Sequence, residues 1–259
     1  LNKNLTRVDD STLPKQNNTF DYSAVCTTGV TDMSQMFYLM TNFNQDIGHW
    51  DTSSVNNMQL MFYAADIFNS SISNWDTSNV TIMNSMFQQA TSFNSDISQW
   101  DTSNVIDMKE MFFGARAFNS SITKWDVSSV NNMESMLRWA TSFNQDLSGW
   151  CIPLIYEEPF NGFAVFSALA DQNFPKWNGA GCTTTTTTTT NTRTTVDPIT
   201  INECIGTTCY NGGSCSDLYL DYDCNCLAPF QGKNCEWSFN AGTLTCEDVD
   251  VGSTFYVAE

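Results

Sequence analysis

The chain is poor in basic residues: ten lysines and arginines face 28 aspartates and glutamates, giving a formal net charge of −18 at pH 7. A surface of that sign repels nucleic-acid phosphates and anionic lipid, so neither is expected as a partner. Histidine is scarcer still. His49 is the single one, at a place where the equivalent residues are Asn74, Gln99, Lys124 and Gly149. No His-paired nucleophile, phosphate loop or zinc-ligand spacing is present. Glu157 and Glu158 are adjacent but have no visible partner in the sequence. Nothing suggests an enzyme. No run of about 18 apolar residues occurs, so no membrane-spanning helix is expected. The first residues, LNKNLTRVDDSTLPKQ, lack an apolar signal core, which reads as a chain already processed. Cysteine, by contrast, is abundant. Seven of the ten cysteines follow residue 200, a density that belongs to an oxidising compartment and makes the protein secreted, extracellular or exposed at a cell surface.

What fills the first two-thirds is a repeat. FNQDIGHW at 43–50 returns as FNSSISNW, FNSDISQW, FNSSITKW and FNQDLSGW, every 25 residues and without an insertion. Each of these tryptophans except the last is followed by DTSSVNNM, DTSNVTIM, DTSNVIDM or DVSSVNNM, then after two residues by MF or ML. Constant spacing with variable residues between marks a solenoid, whose units bury their apolar faces only against their neighbours. Within a unit, Val55, Met58 and Met61 stand three apart, which predicts one face of a short helix. Ser53, Ser78, Ser103 and Ser128 lie just before it, with Asp51, Asp76, Asp101 and Asp126 two residues earlier, and these read as N-cap and turn residues. The FNxxIxxW half reads as the extended segment of a parallel sheet, and Ala65, Ala90, Ala115 and Ala140 mark a tight place between the two. Asn44, Asn69, Asn94, Asn119 and Asn144 are expected to form a ladder whose amides satisfy backbone groups. The Asp column needs either backbone donors or a cation to offset its repulsion, and donors are favoured, because carboxylates ~4.8 Å apart in water repel by only about 1 kcal/mol.

These units resemble the BspA-type leucine-rich repeat of surface proteins, over residues 26–182. The resemblance implies a solenoid with one sheet face and a helical back, used for adhesion or as an extracellular building element. It also implies a C-terminal cap of the form W-C…W-x-x-x-x-C, matched by residues 150–182, whose aromatics would cover the last turn. Cys26 and Cys151 share a column five periods apart. That is about 24 Å at the strand spacing, beyond the ~7 Å that a disulfide allows. Cys151 is therefore expected to pair with Cys182, which leaves Cys26 and Cys246 over.

The segment Cys204-x4-Cys209-x5-Cys215-x8-Cys224-x-Cys226-x8-Cys235 resembles an EGF-like domain. The resemblance implies the pairs Cys204–Cys215, Cys209–Cys224 and Cys226–Cys235, with bridges rather than a core supplying stability. It also implies a calcium site at Glu203 and Asp217, with Asn202 and Tyr222 matching. Thr200 stands where the family carries Asp or Asn, which leaves the oxygen cage one carboxylate short.

The organisation expected is an N-terminal flank at 1–25, a solenoid at 26–150, a cap at 151–182, a Thr-rich linker at 183–199, an EGF-like module at 200–236 and a tail at 237–259. The linker holds Thr183, Thr184, Thr185, Thr186, Thr187, Thr188, Thr189 and Thr190 in one run. Secreted Thr-rich tracts accept O-glycans, which stiffen a chain that would otherwise be flexible. Sequons for N-glycans occur at Asn4, Asn17, Asn69, Asn79 and Asn119. Asn4, Asn17 and Asn79 are the expected acceptors, since Asn69 and Asn119 fall in the ladder column.

The expected function is that of a secreted, glycosylated structural or adhesive protein that assembles head to tail into a filament or matrix. The alternative is a monomeric adhesin or ligand-binding ectodomain. Open solenoid ends and β-prone flanks at 17–25 and 242–259, each without an evident partner, favour assembly by strand exchange. Cys26 and Cys246 would then bridge neighbouring chains, or else pair within one. Other surface proteins and glycans are the remaining partners.

Overall fold

The computed structural model describes residues 3–155, 162–177, 214–218, 221–225, 230–231, 237–238, 251 and 254–257. The chain divides into two compact units, one of Leu5–Thr183 with Asp250–Thr254, the other of Leu1–Asn4, Thr184–Val249 and Phe255–Glu259.

The first unit is a solenoid that turns once per repeat, and it contains no helix where the spacing of Val, Met and Met predicts one. Those residues lie in a chain of tight turns. Met36 N–H bonds Met33 O at 3.4 Å, Tyr38 N–H bonds Gln35 O at 3.2 Å and Met40 N–H bonds Phe37 O at 3.0 Å. Turns closed between i and i+3 place apolar side chains three apart on one side, just as a helical face does. Periodicity alone cannot separate the two.

The remaining N–H groups settle the matter. Met33, Gln35, Phe37 and Leu39 donate to Asn57, Gln59, Met61 and Tyr63 of the next coil, at 2.8–3.0 Å. A helix would have spent these donors on carbonyls four residues earlier. Parallel bridges therefore run Asp32–Asn57–Ile82–Asp107–Asn132, through the half of the repeat assigned to helix rather than through FNxxIxxW.

The turns need left-handed backbone twice in each coil. Gln35 and Leu39 have φ of 58° and 59°, as do Leu60 and Ala64, Ser85 and Gln89, Glu110 and Gly114, Ser135 and Trp139 within a few degrees to either side, Gly114 reaching 70°. Only one of these ten is glycine. A side chain there costs roughly 1 kcal/mol. The offset is an axial hydrogen bond: Gln35, Leu39, Leu60, Ala64, Gln89 and Glu110 each donate their own N–H to the next coil.

Inside the coils, Val55, Met58, Met61, Phe62, Phe68, Ile72 and Trp75 and their equivalents form one continuous core. Its aromatic columns are stacked like coins. Trp50, Trp75, Trp100 and Trp125 follow one another at 6.3 Å with ring planes within 6° of parallel. Phe37, Phe62, Phe87 and Phe112 do so at 5.2–5.7 Å. Each indole N–H reaches a carbonyl 28 residues earlier, as Trp100 Nε1 does to Ile72 O at 3.1 Å. Even the polar edge of the core is satisfied.

Chain outside the repeats covers both ends. At the N-terminus, β1 (Lys3–Arg7) pairs in parallel with β2 (Val25–Cys26), and Tyr22 is fully buried with its ring edge-on to Phe20, Phe37 and Phe43. The flank at 17–25, expected to lack a partner, thus finds one within the chain. At the other end β3 (Cys151–Ile152) pairs in parallel with β4 (Lys176–Trp177), and Leu137 and Trp139 donate to Phe163 O and Val165 O. Phe163 is buried there, edge-on to Trp177 at 5.1 Å. Among the described residues, chain outside the repeats packs on the first coil and on the last.

In the second unit, β5 (Ser214–Leu218) and β6 (Asp221–Asn225) form an antiparallel hairpin with Cys215 opposite Cys224. Strand β7 (Phe230–Gln231) pairs antiparallel with β8 (Trp237–Ser238). A last strand, β9, spans Thr254–Val257.

Candidate interaction surface

The outside of the solenoid is a set of polar columns, each fixed by backbone chemistry. In the Asp column, Asp51 Oδ1 accepts Ser53 N–H at 3.0 Å and the Ser53 hydroxyl at 2.6 Å; Asp76 and Asp101 do the same with Ser78 and Ser103, and Asp126 accepts Ser128 N–H at 2.9 Å. The donors favoured from sequence are therefore the ones that hold these carboxylates. The serines do not cap helices; they close Asx turns.

A second acidic column alternates. Asp46, Ser71, Asp96, Ser121 and Asp146 follow one another, so its carboxylates stand two coils apart, roughly 10 Å. At that distance screening removes most of their repulsion. The carboxyl of Asp96 is held below the ordinary 3.8 by the N–H of Ser98 and then its hydroxyl. Asp146 is lowered by the Ser148 hydroxyl and then its N–H.

The Asn ladder is built as expected. Asn44 Oδ1 accepts Asn69 N–H, Asn69 accepts Asn94 N–H, Asn94 accepts Asn119 N–H and Asn119 accepts Asn144 N–H, at 2.8–3.0 Å. Asn144 ends the ladder on the cap, accepting Ala170 N–H at 3.0 Å. Sequence reasoning missed a second ladder of buried threonines. The hydroxyls of Thr27, Thr52, Thr77 and Thr102 donate to the carbonyls of Asp51, Asp76, Asp101 and Asp126 at 2.8–2.9 Å. Its signal was the Thr of each DTS, a β-branched polar residue that does not vary until Val127.

Against these polar columns stand a few apolar residues: exposed Leu39, Ile67 and Ile106, a Tyr38–Tyr63 stack at 4.9 Å, and Trp139 over Phe166 at 4.3 Å. His49 Nε2 lies 3.3 Å from Val25 O. Among the described residues, no group of three His, Cys, Asp or Glu side chains is placed to hold a metal ion, and no helix is long and apolar enough to cross a membrane.

Cys26 and Cys151 are each disulfide-bonded, so Cys26 is not left over within the chain. Asn17 accepts Thr19 N–H and the Thr19 hydroxyl through Oδ1, and Asn79 donates from Nδ2 to Ser53 O at 2.7 Å. Asn4 lies in β1, and Asp217, Cys215 and Cys224 lie in β5 and β6. Cys182, Cys204, Cys209, Cys226, Cys235, Cys246, Glu203 and Thr183 to Thr190 fall outside the described residues. The bridges, calcium ligands and O-glycans expected there remain expectations.

No solved structure matches the chain. Residues 9–105 and 71–177 match the family described as Mycoplasma protein of unknown function, DUF285. The chain belongs to that repeat family, which is related to the BspA-like surface repeats.

Proposed function

We propose that this is a secreted, glycosylated structural or adhesive protein that works through the sides of its solenoid. The observation that carries the reading is the pairing of regular polar columns with ends closed by the chain itself. Lateral contact can repeat with the 25-residue period, whereas end-to-end stacking would first have to displace residues 8–25, or 151–155 and 162–177. The Thr183–Thr190 tract would be an O-glycosylated spacer, and residues 200–236 an EGF-like module with calcium as its candidate ion. Partners would be other surface proteins, glycans or copies of this chain, and no catalytic role is proposed.

The covered ends favour the ectodomain alternative over a head-to-tail fibre. Sedimentation of the full chain over a wide concentration range, with electron microscopy of the same samples, separates the two. A monomer at every concentration, retained by immobilised cell-surface glycans or proteins, supports lateral adhesion. Filaments with an axial repeat near the solenoid length would overturn it in favour of end-to-end assembly.

A further inference from the structure

The ladder asparagines differ in a way that concerns sugar attachment. A backbone N–H can only donate, so the atom of Asn69 facing Asn94 N–H must be Oδ1, and the same holds for Asn119 facing Asn144 N–H. The other amide atom, Nδ2, then points away from the ladder. Both side chains are exposed, and among the described residues neither Nδ2 makes a hydrogen bond. Asn79 is the reverse case: the atom facing Ser53 O must be Nδ2, committed at 2.7 Å.

Sequence context divides the same column. Ser71 and Ser121 follow Asn69 and Asn119 at the second position, completing sequons, whereas Asp46, Asp96 and Asp146 follow Asn44, Asn94 and Asn144. Alternate coils thus carry acceptors, about 10 Å apart along the axis.

We infer that Asn69 and Asn119 are N-glycosylation sites, and that they tolerate a glycan better than Asn79 because the folded ladder uses only their Oδ1. In the transfer, Nδ2 forms a bond to the anomeric carbon of a lipid-diphosphate-linked oligosaccharide. The bond from that carbon to the phosphate oxygen breaks, the lipid diphosphate leaves with the electron pair, and Nδ2 gives one proton to solvent. The amide oxygen is untouched and still accepts the N–H of the next coil.

The inference rests on the secreted reading, so the test supplies secretion itself. The full chain is expressed behind a secretory leader in a glycosylating host, together with a known glycoprotein as a control. Glycopeptide mass spectrometry is run before and after peptide N-glycosidase, which converts each occupied asparagine to aspartate. The expected result is high occupancy at Asn69 and Asn119, lower occupancy at Asn79, and an unfolding midpoint that deglycosylation leaves unchanged. Ser71→Ala and Ser121→Ala keep the ladder asparagines and should remove the two mass increments one by one. Bare Asn69 and Asn119 beside a glycosylated control would overturn the inference, as would occupancy at Asn79 equal to theirs. Neither result bears on whether the protein is secreted in its own cell, which localisation of the native chain decides separately.

Discussion

The inner coils and the first coil solve one problem with different chemistry. Between inner coils the axial bonds are backbone to backbone, as when Thr81 N–H donates to Asn56 O and Phe62 N–H to Met86 O. The first coil has no predecessor, so the groups that would face it need substitutes. Asp10 supplies the missing acceptor, taking Thr31 N–H at 2.7 Å, Asp32 N–H at 3.0 Å and the Thr31 hydroxyl at 2.6 Å. Lys15 Nζ and Gln16 N–H supply the missing donors, to Ser34 O and Met36 O at 2.8 Å. A repeat is satisfied by its own translation, while an end needs dedicated side chains.

The largest test of that contrast is a truncation in the middle. Trp100→Ala removes a ring stacked on both sides and the bond to Ile72 O. It should cost about 3–5 kcal/mol in denaturant unfolding. Because each coil rests only on its neighbours, the transition should also broaden or split. A loss below about 1 kcal/mol with an unchanged transition would show that the tryptophan column is not a continuous support.

Asp10→Ala tests the end. It strands two backbone donors at the first coil, and charge-assisted bonds of this kind are worth roughly 1.5–3 kcal/mol. The expected cost is about 2 kcal/mol, reduced by the carboxylate's partial exposure. Hydrogen exchange should locate the damage, with protection lost at Thr31 and Asp32 while the coil around Met108 stays closed. Uniform loss across all coils would mean that the cap is coupled to the whole array rather than serving one end.

How much of this could be read from sequence depends on what each residue reports. The period, the buried columns and the Asn ladder were legible because they depend on residue identity at fixed spacing. The backbone path was not. Val55, Met58 and Met61 keep the same three-residue spacing whether the chain closes helical or i-to-i+3 turns. The discriminating residues, Gln35, Leu39, Leu60 and Glu110, are side chains rarely associated with left-handed backbone. Glycine would have announced it, but it stands only at Gly114. The covering of the first coil was not legible either, because the roles of Asp10, Lys15 and Gln16 have no repeat to reveal them.

A smaller effect separates the inner coils from one another. Thr77→Val keeps the shape but removes the hydroxyl from Asp101 O, and should cost about 1 kcal/mol. The fifth coil already has valine at this place, Val127, buried at 3 % exposure. Val127→Thr is therefore the reciprocal test and should restore part of that energy. Opposite signs of similar size in thermal unfolding would make the threonine ladder additive. If both substitutions destabilise, local packing rather than the hydroxyl decides.

The smallest effect comes from protonating the exposed turn carboxylates. Asp9, Asp96 and Asp146 have carboxyls lowered from the ordinary 3.8: Asp9 by the Thr12 hydroxyl first, Asp96 by the Ser98 N–H and Asp146 by the Ser148 hydroxyl. A folded-state value below the unfolded one means the folded chain holds these protons less tightly. The stability this adds is complete above the unfolded value and is lost as pH falls through the folded values. Unfolding midpoints should therefore hold steady from neutrality to about pH 5 and decline below 3.8, where the hydroxyl and N–H donors lose their charged acceptor. All three groups are largely exposed, so water screens each contribution. Asp96→Asn with Asp146→Asn should flatten the acid limb only slightly, and a decline already under way at pH 6 would place the sensitive group elsewhere.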